Sequence, residues 1–379
     1  MRYSMQSHSR RGMTMVELVL AAFLSILVMT GVFSLLDTSL DLWTKGEKRR
    51  AQVERSGAIL ELLTRDLRGM SGGERGDLLV DWQPFDVDGD KAEDRVWPRL
   101  RFVRQASEAE LARLYLEGLS PEVAEQLREE GFLPAEGGAG LQLDPPPATG
   151  LVEVCWAVVP AGKGDAAMEG LLMRGVRKVG GGLGSFLEPG FFARNGMPPV
   201  DALTEVTGGV LWFQPMMATR DSLIREGWEL GSRSQDVASA WDARGLGRPD
   251  KLLHPYNEVA RGQTRPTGGS LLPRSVLIQL EFESERERER RPRLLSPIDR
   301  SIQRFEVTRG ELLPRSKGNH VLIGGEWMVL VAVEGDFIKV QRGARATLPA
   351  AHADGEMVHF GQRVVTEVPI PMYTEDWNQ

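Results

Sequence analysis

The chain has 379 residues, of which 41 % are hydrophobic and 26 % charged, and its formal net charge is −7. That apolar share is enough to fill a core and excludes wholesale disorder. The single cysteine, Cys155, excludes a disulfide scaffold, and the acidic balance argues against a nucleic-acid binder, which shows a basic face.

The first forty residues differ in kind from the rest. Residues 1–12 (MRYSMQSHSRRG) carry Arg2, Arg10 and Arg11 and no acid. Met13 to Val16 follow, then one acid, Glu17, and then an uncharged run from Leu18 to Leu36 that ends before Asp37. The run is close to the ~20 residues that cross a bilayer as a helix. A secretory signal peptide would have a shorter apolar core and a small-x-small cleavage site, which the following SLLDTSLDLW does not offer. A plain signal anchor fits the length but leaves Glu17 unexplained. A carboxylate costs roughly 2.5–3.5 kcal/mol at a bilayer centre and less near one end, so it asks for a partner. A cut between Gly12 and Met13 would leave an amino group four residues before Glu17, a spacing suited to a charge pair.

The residues RRGMTMVELVLAAFLSILV resemble the type IV prepilin processing signature: a short basic leader ending in Gly, then an apolar run with Glu at its fifth position. The resemblance implies that Gly12 is the last leader residue, that Met13 is the N-methylated first mature residue, and that Glu17 sets register during assembly. It also puts the leader in the cytoplasm. Charge alone does not, because Lys45, Lys48, Arg49 and Arg50 follow the span.

Beyond the span, Val53, Leu60, Leu63, Leu67 and Met70 recur at helical spacing, with charged residues on the other faces and Gly72-Gly73 as a stop. The pattern predicts one helix from about Thr14 to about Met70. RAQVERSGAILELLTRDLRGM (50–70) resembles the same part of J-type minor pseudopilins of type II secretion systems. The apolar segments 151–160, 170–179, 203–217 and 272–284 follow in that family's order. Strands are expected near 78–82, 99–104, 151–159, 170–179, 203–213, 275–283 and 301–307. Residues 107–131 read as helical, with Ser107 and Glu110 as a capping box.

The expected fold is therefore α+β and pilin-like: a long N-terminal transmembrane and stalk helix packed on a largely antiparallel β-sheet head, with insertions and a C-terminal β module. The expected parts are a leader (1–12), a transmembrane helix (13–36), a periplasmic helical stalk (37–72), a β-rich head (73–310) with insertions near 105–150 and 218–270, and a small β module (311–379).

One segment has metal-like spacing. In FDVDGDKAEDR, Asp86, Asp88, Asp90 and Asp94 take positions one, three, five and nine of an acidic loop. Alternating carboxylates can converge on a hard cation, and calcium suits an extracytoplasmic loop. Lys91 at position six and Trp97 at position twelve exclude an EF-hand, leaving a shorter calcium loop or a solvated acidic turn. His352 and His359, near Asp354 and Glu356, read as packing residues in a β hairpin rather than ligands. Cys155, among apolar strand residues, reads as a buried thiol. The chain carries no Gly-x-Ser-x-Gly, no phosphate-binding Gly-x-x-x-x-Gly-Lys and no His-Glu-x-x-His, so neither catalysis nor nucleotide binding is expected.

The resemblance implies a structural assembly protein of the inner membrane, with its bulk in the periplasm. Its implied partners are the prepilin peptidase, other minor and major pseudopilins, and membrane lipid, with energy supplied by a separate ATPase. The other readings are a minor pilin of a true type IV pilus, an anchored extracytoplasmic binding protein, and an anchored hydrolase, the last disfavoured by the lack of a catalytic motif.

Overall fold

The computed structural model describes residues 14–72, 77–86, 95–117, 125, 150–162, 168–179, 184–188, 191–192, 196–199, 201–218, 237–238, 240–243, 272–283, 291–315, 318–345 and 347–370. They form two compact units, Met1–Ala58 and Ile59–Gln379.

The long helix α1 runs from Met15 to Arg68. It contains no proline, and its first part is rich in Leu, Val and Ala. Among the described residues it is the one helix long and apolar enough to cross a membrane, over Met15–Thr44. None of its described side chains is buried, and Leu18, Phe23, Leu27 and Phe33 are all exposed. The hydroxyls of Thr30, Thr38 and Thr44 donate to the carbonyls of Ile26, Ser34 and Leu40, so these polar groups are satisfied within the helix.

The second unit begins on the same helix. Ile59, Leu63, Leu67 and Met70 are buried, on one face at helical spacing. Val53, expected on that face, is instead half exposed, and Leu60 is only partly buried. Ile59 takes the place expected of Leu60, one residue earlier on the turn.

This face packs on a nine-stranded sheet whose described pairings are all antiparallel. Its strands are β1 (Leu78–Phe85), β2 (Arg95–Ala106), β3 (Gly150–Pro160), β4 (Gly170–Lys178), β5 (Thr204–Ala218), β6 (Val237–Ala238), β7 (Trp241–Asp242), β8 (Ser275–Phe282) and, last in the chain, β14 (Gln362–Pro369). The order is β14-β8-β5-β4-β3-β2-β1-β7, with β6 on β5. Alternation along β3 divides its two faces. Val152, Val154, Trp156 and Val158 join the core beneath the helix, while Cys155 and Ala157 meet Phe186, Phe191, Phe192 and Leu203 on the other side. The short helix α2 (Glu108–Glu117) follows β2, and the Glu110 N–H donates to Ser107 Oγ at 3.3 Å, one half of the expected capping box.

The polar centre of this packing is Asp66, on the buried side of α1. Trp156 Nε1 donates to its Oδ2 at 2.9 Å, Arg174 Nε and Nη2 donate at 2.7 and 2.8 Å, and Arg104 Nε lies 3.0 Å from Oδ1. Three strands thus converge on one carboxylate of the helix.

A second sheet of five strands has the order β13-β10-β11-β12-β9. Its strands are β9 (Arg304–Glu306), β10 (His320–Ile323), β11 (Glu326–Glu334), β12 (Phe337–Ala344) and β13 (Val358–His359). The expected division at residues 310 and 311 therefore moves at both ends. β9 lies before that boundary and pairs with β12, while β14 lies after it and pairs with β8 of the large sheet along its whole length. The small sheet is an excursion between two adjacent strands of the large one. Where the chain re-enters, a Cβ on Gly361 would sit 2.5 Å from the Phe282 carbonyl oxygen, so the crossing needs a residue without a side chain. The two sheets share a core in which Trp82, Leu211 and Trp212 meet Leu322 and Trp327.

Replacing Asp66 with Ala leaves Arg104 and Arg174 facing a buried gap, and is expected to cost about 3–5 kcal/mol. Urea unfolding of the full chain followed by tryptophan fluorescence measures it. A loss below about 1 kcal/mol, the range of an exposed pair, would show that the network does not anchor the helix.

Candidate functional site

The residues expected to carry function lie at the start of α1. Thr14 immediately precedes the helix, and Glu17 is its third residue. The Thr14 N–H and hydroxyl donate to Glu17 Oε2 at 2.9 and 3.2 Å, and the Glu17 N–H donates back to Thr14 Oγ1 at 3.3 Å. This reciprocal pair is a capping box: it satisfies amide donors that the first helical turn leaves open and sets a carboxylate at the positive end of the helix dipole. Glu17 thus has a partner inside its own chain. Sequence reasoning sought that partner in a new terminus and passed over Thr14, although the Thr-Met-Val-Glu spacing is the capping-box signature. Gly12 and Met13 lie outside the described residues.

The acidic loop is divided in the same way. Asp86 follows β1, whereas Asp88, Asp90 and Asp94 lie outside the described residues.

His352 and His359 are placed apart, in two different polar clusters. In the first, Glu326 at the start of β11 is buried and receives five donors. Arg342 Nε and Nη2 reach it at 2.7 and 2.6 Å, the Gly343 and Ala350 N–H groups at 3.0 and 2.9 Å, and His352 Nε2 at 3.0 Å. His352 Nδ1 lies 3.0 Å from Glu356. Burial would raise the Glu326 pKa, but the hydrogen bonds from Arg342, His352 and the two amides outweigh it and hold it down to about 2. The cluster pins the chain between β12 and β13.

In the second cluster, Glu169, Glu283 and His359 are buried, with one potential ligand atom from each all within 4.8 Å of one another. Arg291 Nη2 donates to Glu283 Oε2 at 2.6 Å and also to Glu169, and His359 Nδ1 lies 3.3 Å from Glu283. The guanidinium supplies positive charge where a metal would sit, so ligation would require Arg291 to move.

On the far face of the large sheet, Asp81 accepts from Arg99 and lies 2.6 Å from Arg101, and Arg99 stacks over Phe192. Burial works to raise the Asp81 pKa, yet the two guanidinium groups hold it below the usual carboxylate range. Cys155 lies on that face, fully buried, and burial pushes its thiol up to about 12, as befits an inert core residue. Apart from the i,i+4 pair His352–Glu356, the partners in these clusters are distant in sequence and come together only through the fold.

No family model, curated protein or solved structure matches the chain. The functional reading therefore rests on the residues and their geometry.

The Glu326 cluster has a definite pH signature. The folded carboxyl is held at about 2 against an ordinary value of 4.5. Its contribution to stability is therefore complete above pH 4.5 and is lost as the pH falls toward 2. Melting temperatures measured over that window should fall more steeply for the native chain than for Glu326→Gln. Parallel curves would show that Glu326 carries no such linkage.

Proposed function

We propose that the protein is a minor pseudopilin of a type II secretion system: a single-pass inner-membrane subunit with its β-rich bulk in the periplasm. In this reading it is built into the tip of the pseudopilus after prepilin peptidase cuts between Gly12 and Met13 and the new terminus is methylated. The observation that carries the reading is the position of Glu17, capped at the head of an apolar helix that ends on an antiparallel sheet. The cap would serve a plain anchor as well, but an assembling subunit gains in addition a charge that drives pairing in lipid.

The proposed role is structural. The hydrophobic helix packs beside those of other minor and major pseudopilins, and the head takes the place at the tip. When Met13 becomes the terminus, its amino group lies one residue from Thr14 and four from Glu17. The carboxylate that caps the helix is then also the counter-ion of that amine or of a neighbouring subunit's. The pilin-like fold assignment belongs to the same proposal and rests on the apolar helix followed by an antiparallel sheet with helix packed on one face.

Two substitutions separate processing from assembly. Gly12→Leu should leave the chain at precursor mobility in a peptidase-competent host. Glu17→Ala should be cut normally but drop out of the pseudopilus fraction recovered by shearing and immunoblotting. Normal incorporation of Glu17→Ala would contradict the pairing role, and normal cutting of Gly12→Leu would contradict the leader.

A further inference from the structure

The large sheet ends in a strand that is half exposed and, among the described residues, paired on one side only. Among the described edge strands, β7 and β13 have two residues each and β9 has three, while β14 has eight. In an antiparallel pair, opposed residues alternate between exchanging both backbone hydrogen bonds and exchanging none. The Ile370 N–H donates to the Arg274 carbonyl at 2.8 Å, and the register runs on unbroken to Gln362 opposite Phe282. Positions 362, 364, 366 and 368 therefore bond inward to β8. The opposite parity on β8 agrees, since the Glu283 N–H donates at 2.8 Å to Gly209, beside β5.

It follows that Arg363, Val365 and Glu367 turn their N–H and C=O groups away from the sheet. Their side chains share one face. Val365 is 43 % exposed and Arg363 is exposed, while Glu367 is half buried and accepts from Ser275 Oγ at 2.7 Å. Among the described residues no strand pairs with this edge, and a sheet edge is a template for another strand.

The side chains indicate which strand. Arg363 and Glu367 flank Val365 symmetrically, two residues to either side. A second β14 laid antiparallel with Val365 against Val365 sets each Arg363 opposite a Glu367. The three outward-bonding positions of one copy then meet the three of the other, giving about six backbone hydrogen bonds. Opposite charges directly across strands are favourable, and like charges are unfavourable. Pro369, which has no N–H, ends the ladder. We propose that β14 is a self-complementary docking edge, through which two copies of this chain join their large sheets about a two-fold axis. The inference uses only the sheet and does not depend on the proposed secretion role.

The test uses the full chain in detergent micelles. Val365→Cys should cross-link into a covalent dimer under mild oxidation, because hydrogen-bonded opposed residues lie about 5.5 Å apart between Cα atoms, within disulfide reach. Cys155 is buried, and Leu348→Cys, at a site 84 % exposed and off this edge, is the control for random collision. Arg363→Glu alone and Glu367→Arg alone should each lose the cross-link when placed in the Val365→Cys background. Mixing the two charge variants should restore it, since every pair across the axis is then opposite in sign. Val365→Pro, which removes an outward donor and no donor to β8, should abolish the dimer seen by light scattering in the otherwise native chain. Cross-linking of Val365→Cys no faster than that of Leu348→Cys would overturn the proposal. So would cross-linking that ignores the charge variants, which would assign contact to the anchor helix or to an unlike strand.

Discussion

One helix must serve two surroundings, and the rest of the structure follows from how it does so. Over the first thirty residues of α1 no described side chain is buried, while its last turns are buried against the large sheet. Apolar contact through Ile59, Leu63 and Leu67 would let the helix slide or rotate on a flat sheet. Asp66 removes that freedom. A carboxylate that accepts from Trp156 and Arg174 and pairs with Arg104 has one geometry, set by side chains from three strands. The cost of removing these groups from water is offset only when all are in place, so the network fixes register more than it adds stability.

The same logic recurs where the two sheets meet. Arg345 pairs with Glu281 at 2.5 Å and lies 4.0 Å from the centre of the Trp327 ring and 4.8 Å from that of Trp212. The small sheet enters and leaves through neighbouring strands, β8 and β14, and is held by a core in which tryptophans from both sheets interlock. Charged side chains buried against aromatic faces make the junction specific, because a guanidinium without its carboxylate and ring would be stranded in a dry site. The small sheet is thus integral to the second unit.

Much of this was legible in the sequence. Every expected strand exists in some form, because runs such as Leu151–Val159 and Ser275–Phe282 alternate or are apolar between turn residues. The ends of α1 also agree, within about two residues; of the helix expected over 107–131, α2 covers Glu108–Glu117 and nearly all the remainder lies outside the described residues. What escaped was non-local. β14 reads like its neighbours, and nothing in its own residues says that it pairs with a strand some eighty positions earlier rather than with β13. The tiny strands β6 and β7 carry too few residues to show a period. Val53 has helical spacing but is half exposed. The Glu326 and Arg291 clusters join residues far apart in the chain, many of them just outside the strands, which local patterning does not encode. Thr14 was the one missed residue whose signal was in plain view.

The functional account reduces to Glu17 and what stands before it. A capping box explains how a carboxylate is tolerated at the head of an apolar helix, and in the sequence that carboxylate stands four residues after the proposed new amino terminus. The account requires that such a terminus be made. Intact-mass and N-terminal fragment spectra of the protein purified from its native membrane test this most directly. The account predicts a chain that begins at Met13 and carries one added methyl group. A functional protein that retains residues 1–12 would contradict it.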